Sequence, residues 1–145
     1  QANPDWPWPL PVIRRAMSCL LIPPEVSVRC WVERLEVFAD PMLDRVFSNL
    51  IENAIRHGKT VSSVVITYQI LDDGLAIYVE DDGVGVPPEK KERIFDYGVG
   101  IDGGLGLFLV REILAITGIT IRETGTPGEG ARFVIHVPPG GYRIT

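Results

Sequence analysis

Leu43, Val46, Phe47, Leu50, Ile51, Ala54 and Ile55 recur at spacings of three and four. That is the apolar stripe of an amphipathic helix. Asp40-Pro41 places a capping residue before a proline at the first helical position, and Gly58 ends the run. At about 100° per residue, Asn49, Asn53, Arg56 and His57 gather on one flank of the stripe, so a polar row follows the edge of a buried helix. Leu105–Thr117 is a second helix, apolar nearly all round apart from Arg111 and Glu112, which predicts deep burial, and Gly118 caps it. Val12–Leu21 is a third, with Ile13, Met17 and Leu20 on one side and Pro23-Pro24 closing it. A short helical piece is expected over Glu89–Phe95.

Period-two and β-branched segments predict strands at Val26–Val32, Leu35–Ala39, Val61–Leu71 and Leu75–Asp81, the last two joined by the turn signal Asp72-Asp73-Gly74. Ile119–Thr124 and Ala131–Val137 form a closing hairpin across Gly125–Gly130. Hairpins outnumber βαβ alternations. The fold class expected is therefore α+β, a two-layer sandwich with helices on one face of a mixed, largely antiparallel sheet. Residues 1–11, with Pro4, Pro7, Pro9 and Pro11 between Trp6 and Trp8, favour extended chain and read as a linker entering a single domain over residues 12–145.

A chain of 145 residues can bury roughly 70% of its unfolded surface around one core. With 46% hydrophobic and 23% charged residues, and no apolar run near the ~20 needed to span a bilayer, it reads as a globular domain making no membrane contact of its own. The net charge of −5 and the lack of a Lys/Arg cluster argue against nucleic-acid binding. Cys19 and Cys30 have no metal-ligand spacing and suit reduced thiols, in keeping with a cytoplasmic location. The chain begins at Gln1, and the expectation is a piece of a longer protein, itself either free or membrane-anchored.

Two phosphate-binding patterns fail on context. Gly58-Lys59-Thr60 resembles the end of a P-loop, but Asn53 stands where that motif needs a glycine, and a helix ends there instead of starting. Gly98-Val-Gly100-Ile-Asp-Gly103 fits a dinucleotide fingerprint without the strand that must precede it. Three other segments support one another by order and placement: Asn49-Leu-Ile-Glu-Asn53-Ala-Ile-Arg56-His57 on a helix, Asp81-Asp-Gly83-Val-Gly85 at a strand end, and Gly103-Gly-Leu-Gly106-Leu107 at a helix start.

These segments resemble the N, G1 and G2 boxes of the ATP-binding domain of sensor histidine kinases, in the superfamily shared with gyrase, Hsp90 and MutL, and Ile94-Phe95 resembles the short F box. The likeness covers about residues 12–138. It implies a Bergerat-type fold that binds Mg·ATP and gives the γ-phosphate to a histidine on a separate dimerisation domain, with a response regulator downstream. On the matching positions Asn53 would ligate Mg²⁺ with Asn49 beside it, while Asn49, Arg56 and His57 position the phosphates. An amide oxygen suits this cation, whose shell is completed by waters and phosphates.

Asp81 would accept a hydrogen bond from the adenine 6-amino group and reject guanine, which presents an oxygen there. Gly83 and Gly85 would let the backbone approach the base. Phe95, Tyr97, Gly98 and Gly100 would border the nucleotide and form the lid; Gly104, Leu105, Gly106 and Leu107 would open the next helix toward the phosphates.

The chain departs from the family in three places. Asp102 occupies a position usually held by glycine, the lid is short at about seven residues, and the phosphoacceptor helix with its histidine motif is missing from this sequence. The gyrase-like and Hsp90-like hydrolases place a water-activating glutamate four residues before the metal-binding asparagine; here Asn49 stands there. The alternatives carried are a stand-alone serine kinase of the anti-sigma type and a degenerate nucleotide-binding scaffold.

Overall fold

The computed structural model describes residues 22–32, 34–57, 60–96 and 106–144, with the side chain of His57 outside that set. The expected linker over residues 1–11 and the helix over residues 12–21 lie outside it. In chain order the elements are β1 (Ser27–Cys30), β2 (Leu35–Val37), α1 (Leu43–His57), β3 (Ser63–Leu71), β4 (Gly74–Asp81), two 3₁₀ turns (Pro88–Lys90 and Arg93–Phe95), α2 (Gly106–Ala115), β5 (Thr120–Glu123), β6 (Arg132–Val137) and β7 (Tyr142–Ile144).

The main sheet runs β1-β3-β4-β6-β5, and β2 pairs with β7 in a separate two-stranded sheet. β1 lies parallel to β3; the remaining pairs of the main sheet are antiparallel. Asp72-Asp73 make the two-residue turn between β3 and β4, and Gly74 follows at φ +136°. A Cβ on Gly74 would lie 2.1 Å from the Val137 carbonyl oxygen, so glycine is required twice over, by backbone angle and by contact.

Strand register turns sequence alternation into rows on the helix-covered face. Cys30, Ile66, Val79, Phe133 and Glu123 are successive partners across the sheet, and Val64 pairs with Asp81 in the next row. The helices cover this face. Phe47, Leu50 and Ile51 of α1 are fully buried, each worth about 1.5–3 kcal/mol of apolar transfer. α1 packs on α2 and β4, and α2 on β5 and the second 3₁₀ turn. The architecture is the α+β sandwich expected.

Several boundaries differ from expectation. Glu89–Phe95 forms two separate 3₁₀ turns, whose i→i+3 bonds run from the Lys90 amide to the Pro87 carbonyl and from the Asp96 amide to the Arg93 carbonyl. So short a segment gains too few bonds to offset helix nucleation. α2 is less enclosed than its composition suggested: Val110, Ile113 and Leu114 are buried, but Ile116 just beyond it is 49% exposed. Only one side of this helix meets α1 and the sheet.

β7 had no counterpart in the sequence reading; it pairs Tyr142 with Val37 and Ile144 with Leu35. Cys30 is half-buried at the end of β1. No helix among the described residues is long and apolar enough to cross a membrane.

Candidate nucleotide site

Asp40 starts α1: its Oδ1 accepts the Met42 amide at 2.9 Å, and its carbonyl accepts the Leu43 amide at 3.0 Å. With the apolar stripe turned to the core, Asn49 and Asn53 are half-buried along the edge and Arg56 is exposed. Asn49 Nδ2 donates to the Gly106 carbonyl at 3.3 Å, which joins the N-box helix to the first residue of α2. Two motifs separated by 57 residues thus meet. The Asn53 side chain makes no hydrogen bond to another described residue, so its amide oxygen keeps both lone pairs for a ligand. Arg56 lies 3.8 Å from Glu52 on the exposed side of the helix. Glu52 is thus paired with a member of the polar row that holds Asn49 and Asn53.

Asp81 ends β4 on the same face as the core residues Leu75, Ile77 and Val79. Its Oδ1 accepts two backbone amides, from Gly83 at 2.8 Å and Ala131 at 3.1 Å, while its own amide donates to the Ala131 carbonyl at 3.0 Å. One carboxylate oxygen is spent on the scaffold, and the other is available to a ligand. Burial pushes the Asp81 carboxyl above its ordinary value of 3.8, against the two amide hydrogen bonds, and the neighbouring charges of Asp82 and Glu123 add to the rise.

Asp82 points away from that site. Its carboxylate accepts the Ser62 hydroxyl and the Ser62 and Ser63 amides, the last two at 2.8 and 3.0 Å, and the Ser62 hydroxyl bond leads in holding its pKa below 3.8. A depressed carboxylate contributes stability above its unfolded pKa, lost as pH falls through the folded one. In Ser62→Ala the Asp82 titration should move back up toward 3.8, read by carboxyl NMR; an unmoved titration would show that the hydroxyl is not its main partner.

The turn between β5 and β6 completes the pocket floor. Gly128 donates to the Val84 carbonyl at 2.8 Å. Gly130 sits at φ +134°, and a Cβ there would lie 2.0 Å from the Asp81 carbonyl oxygen. Gly85, at φ +76°, faces this turn too, with the Gly130 oxygen 2.9 Å from where its Cβ would be. Sequence reasoning took Gly125–Gly130 only as a hairpin connection and missed Gly130 and Ala131. The signal available was a pair of glycines two residues apart just before a strand, a spacing more demanding than a loop needs.

The expected site residues fall into three groups. Asp81, Gly83 and Gly85 form one half with the β5–β6 turn, and Asn49 meets Gly106 in the other. Phe95 is 4% exposed and stands edge-on to Phe133 with ring centroids 6.1 Å apart, so its ring packs in the core. Leu107 is half-buried and packs against the core, whereas Gly106 is exposed, with nothing among the described residues within 4 Å of a Cβ position. Tyr97, Gly98, Gly100, Asp102, Gly104 and Leu105, and the side chain of His57, lie outside the described residues.

For a divalent cation the fit is partial. Among the described residues no group of three or more His, Cys, Asp or Glu could hold a metal. An Asn53-bound Mg²⁺ would need phosphates and waters for the rest of its shell, which is how this cation is ordinarily held at nucleotide sites.

A strand-end carboxylate held by backbone amides and an asparagine-edged helix tied to a glycine-started one are arranged as the resemblance to the ATPase class implies. Comparison with known proteins agrees. The family model described as "Histidine kinase-, DNA gyrase B-, and HSP90-like ATPase" matches residues 39–141, and the chain belongs to that family. Among curated relatives, the alginate biosynthesis sensor protein KinB of Pseudomonas aeruginosa is 35% identical over 115 residues, 76% of this chain and 18% of the relative. Sensor histidine kinase CusS of Escherichia coli is 32% identical over 123 residues, 78% of this chain and 25% of the relative. The chain thus spans a quarter or less of these relatives.

The ATP-binding domain of PrrB from Mycobacterium tuberculosis superposes with a TM-score of 0.76 at 25% identity, covering 94% of this chain and 98% of that one. Full-length ShkA in complex with AMPPNP gives 0.78 over 100% of this chain and 32% of that one; at 24% identity this likeness shows the fold alone.

Proposed function

We propose that this domain binds Mg·ATP and presents the γ-phosphate to a histidine on a separate dimerisation domain, as the catalytic module of a cytoplasmic sensor kinase that passes the phosphate to a response regulator. The observation that carries the reading is the division of labour at Asp81: Oδ1 is fixed by two backbone amides and Oδ2 is left for one donor, the adenine 6-amino group. Guanine would set an oxygen against a half-buried carboxylate.

Asn53 would hold the metal through its amide oxygen, Asn49 ties that edge to α2, and the free N–H groups at the start of α2 would face phosphate oxygens. Mg²⁺, when bound, would neutralise charge on the transferring phosphoryl group. This chain's own residues would orient the nucleotide, so catalysis here is positioning without a protein general base. Asn49, at the position where related hydrolases carry the water-activating glutamate, is neutral and bonded to Gly106, and Glu52 is paired with Arg56 at 3.8 Å.

Asn53→Ala should bind ATP equally with and without Mg²⁺ while keeping most of the adenine contact; a surviving Mg²⁺ effect in calorimetry would move the metal to another residue. Phosphotransfer is tested by mixing the domain, γ-labelled ATP and a separately supplied dimerisation domain. Acid-labile label on that domain's histidine supports the reading, and label on serine, or none, contradicts it.

A further inference from the structure

Glu123 breaks the apolar row it belongs to. Its inward-facing partners across the sheet are Phe133, Val79, Ile66 and Cys30, yet it is an acid at 4% exposure. All its hydrogen bonds are made locally. Oε2 accepts the Gly125 and Arg132 amides, both at 2.9 Å, and Oε1 accepts Lys91 Nζ, which also donates to the Gly125 carbonyl at 2.9 Å. Lys91 lies between the two 3₁₀ turns, the second of which ends in Phe95, whose ring meets Phe133, the register partner of Glu123.

One carboxylate thus fixes both ends of the β5–β6 turn, since Gly125 enters it and Arg132 leaves it. The residue beside Arg132 is Ala131, whose amide donates to Asp81 Oδ1. The space at Gly125 is filled by the same group: a Cβ there would lie 2.7 Å from Glu123 Oε2 and 2.5 Å from the Gly130 oxygen. A contiguous path therefore runs from Lys91 through Glu123 and the Arg132–Ala131 backbone to Asp81.

We infer that Lys91 and Glu123 are positioning residues for the nucleotide site: their buried pair holds the β5–β6 turn where Ala131 can fix Asp81, and so sets the affinity and the ATP-over-GTP preference of the pocket. The inference rests on the nucleotide reading above. A buried ion pair is a poor source of stability, because removing two charges from water offsets their attraction, and apolar replacements of both partners are often neutral or stabilising. What an apolar pair cannot supply is an acceptor for the Gly125 and Arg132 amides. A change in Ala131 exchange and in nucleotide selectivity in a variant that still folds therefore reports positioning.

The test uses the full 145-residue chain carrying Lys91→Met with Glu123→Leu, and Glu123→Gln as a second variant in case the first fails to fold. Thermal melting confirms folding, amide exchange at Ala131 is measured without nucleotide, and calorimetry gives ATP and GTP affinities. The folded double variant should exchange Ala131 faster and bind ATP about fivefold to tenfold more weakly, roughly the worth of one hydrogen bond, with a narrower preference over GTP. Wild-type protection at Ala131 with wild-type selectivity would overturn the inference. Failure of the wild-type chain to bind ATP would overturn the nucleotide reading instead, and the exchange data would still decide whether the pair holds the turn.

Discussion

Asp81→Asn should bind ATP roughly tenfold to a hundredfold more weakly, equivalent to about 1–3 kcal/mol, and melt no lower than the wild type. The two halves of this expectation have separate causes. Asparagine keeps an oxygen for the Gly83 and Ala131 amides, so the turn stays fixed. In place of Oδ2 it presents an N–H₂ group, and two donors would then face each other across the adenine edge.

The stability half follows from the raised pKa. Between 3.8 and the raised value the folded chain binds more protons than the unfolded one, so stability falls as pH rises through that window, and an ionised Asp81 is a net cost at neutral pH. Asparagine removes that cost. The same shift means that ATP binding should weaken, as pH is lowered, at a pH above 3.8, when Asp81 takes up its proton. A variant with wild-type affinity would remove Asp81 from the adenine role.

Gly130→Ala should be strongly damaging, costing about 3 kcal/mol or more in denaturant unfolding and abolishing ATP binding. A backbone at φ +134° strains any side chain, by about 1–3 kcal/mol for such sparsely populated regions. The added methyl would also lie 2.0 Å from the Asp81 carbonyl oxygen, a backbone atom that cannot rotate aside. Relief requires the β5–β6 turn to withdraw, taking the Ala131 amide with it. Gly106→Ala is the control, since no atom of the described residues lies within 4 Å of that Cβ position; equal stability losses in the two variants would refute the packing argument.

How much of this was legible in the sequence varies with the kind of interaction. The stripe from Leu43 to Ile55 gave α1, its cap and its polar edge, because helical periodicity is written in local spacing. Asp72-Asp73-Gly74 located the β3–β4 hairpin for the same reason. Contacts between distant elements are not written that way. Pairing of β7 with β2, the parallel alignment of β1 on β3 and the approach of Gly130 to Asp81 depend on tertiary placement that no window of residues contains.

Glu123 lies between these cases. Alternation over Ile119–Thr124 already put it on the inward side with Ile121, and an acid on an inward row calls for a cation or several amides nearby. Its partner Lys91 could not be named, since nothing along the chain shows that the 3₁₀ segment crosses that end of the sheet. Over-reading of α2 had a simpler origin: an apolar composition was taken for enclosure, whereas its far side ends at the exposed Ile116.

The central claim is that Asp81 reads adenine within a metal-assisted triphosphate site. Calorimetric titration of the domain with ATP and with GTP, each with and without Mg²⁺, tests it most directly. Binding of ATP that is strengthened by Mg²⁺, with GTP far weaker, is the expected result; equal binding of the two nucleotides, or of neither, would contradict the account.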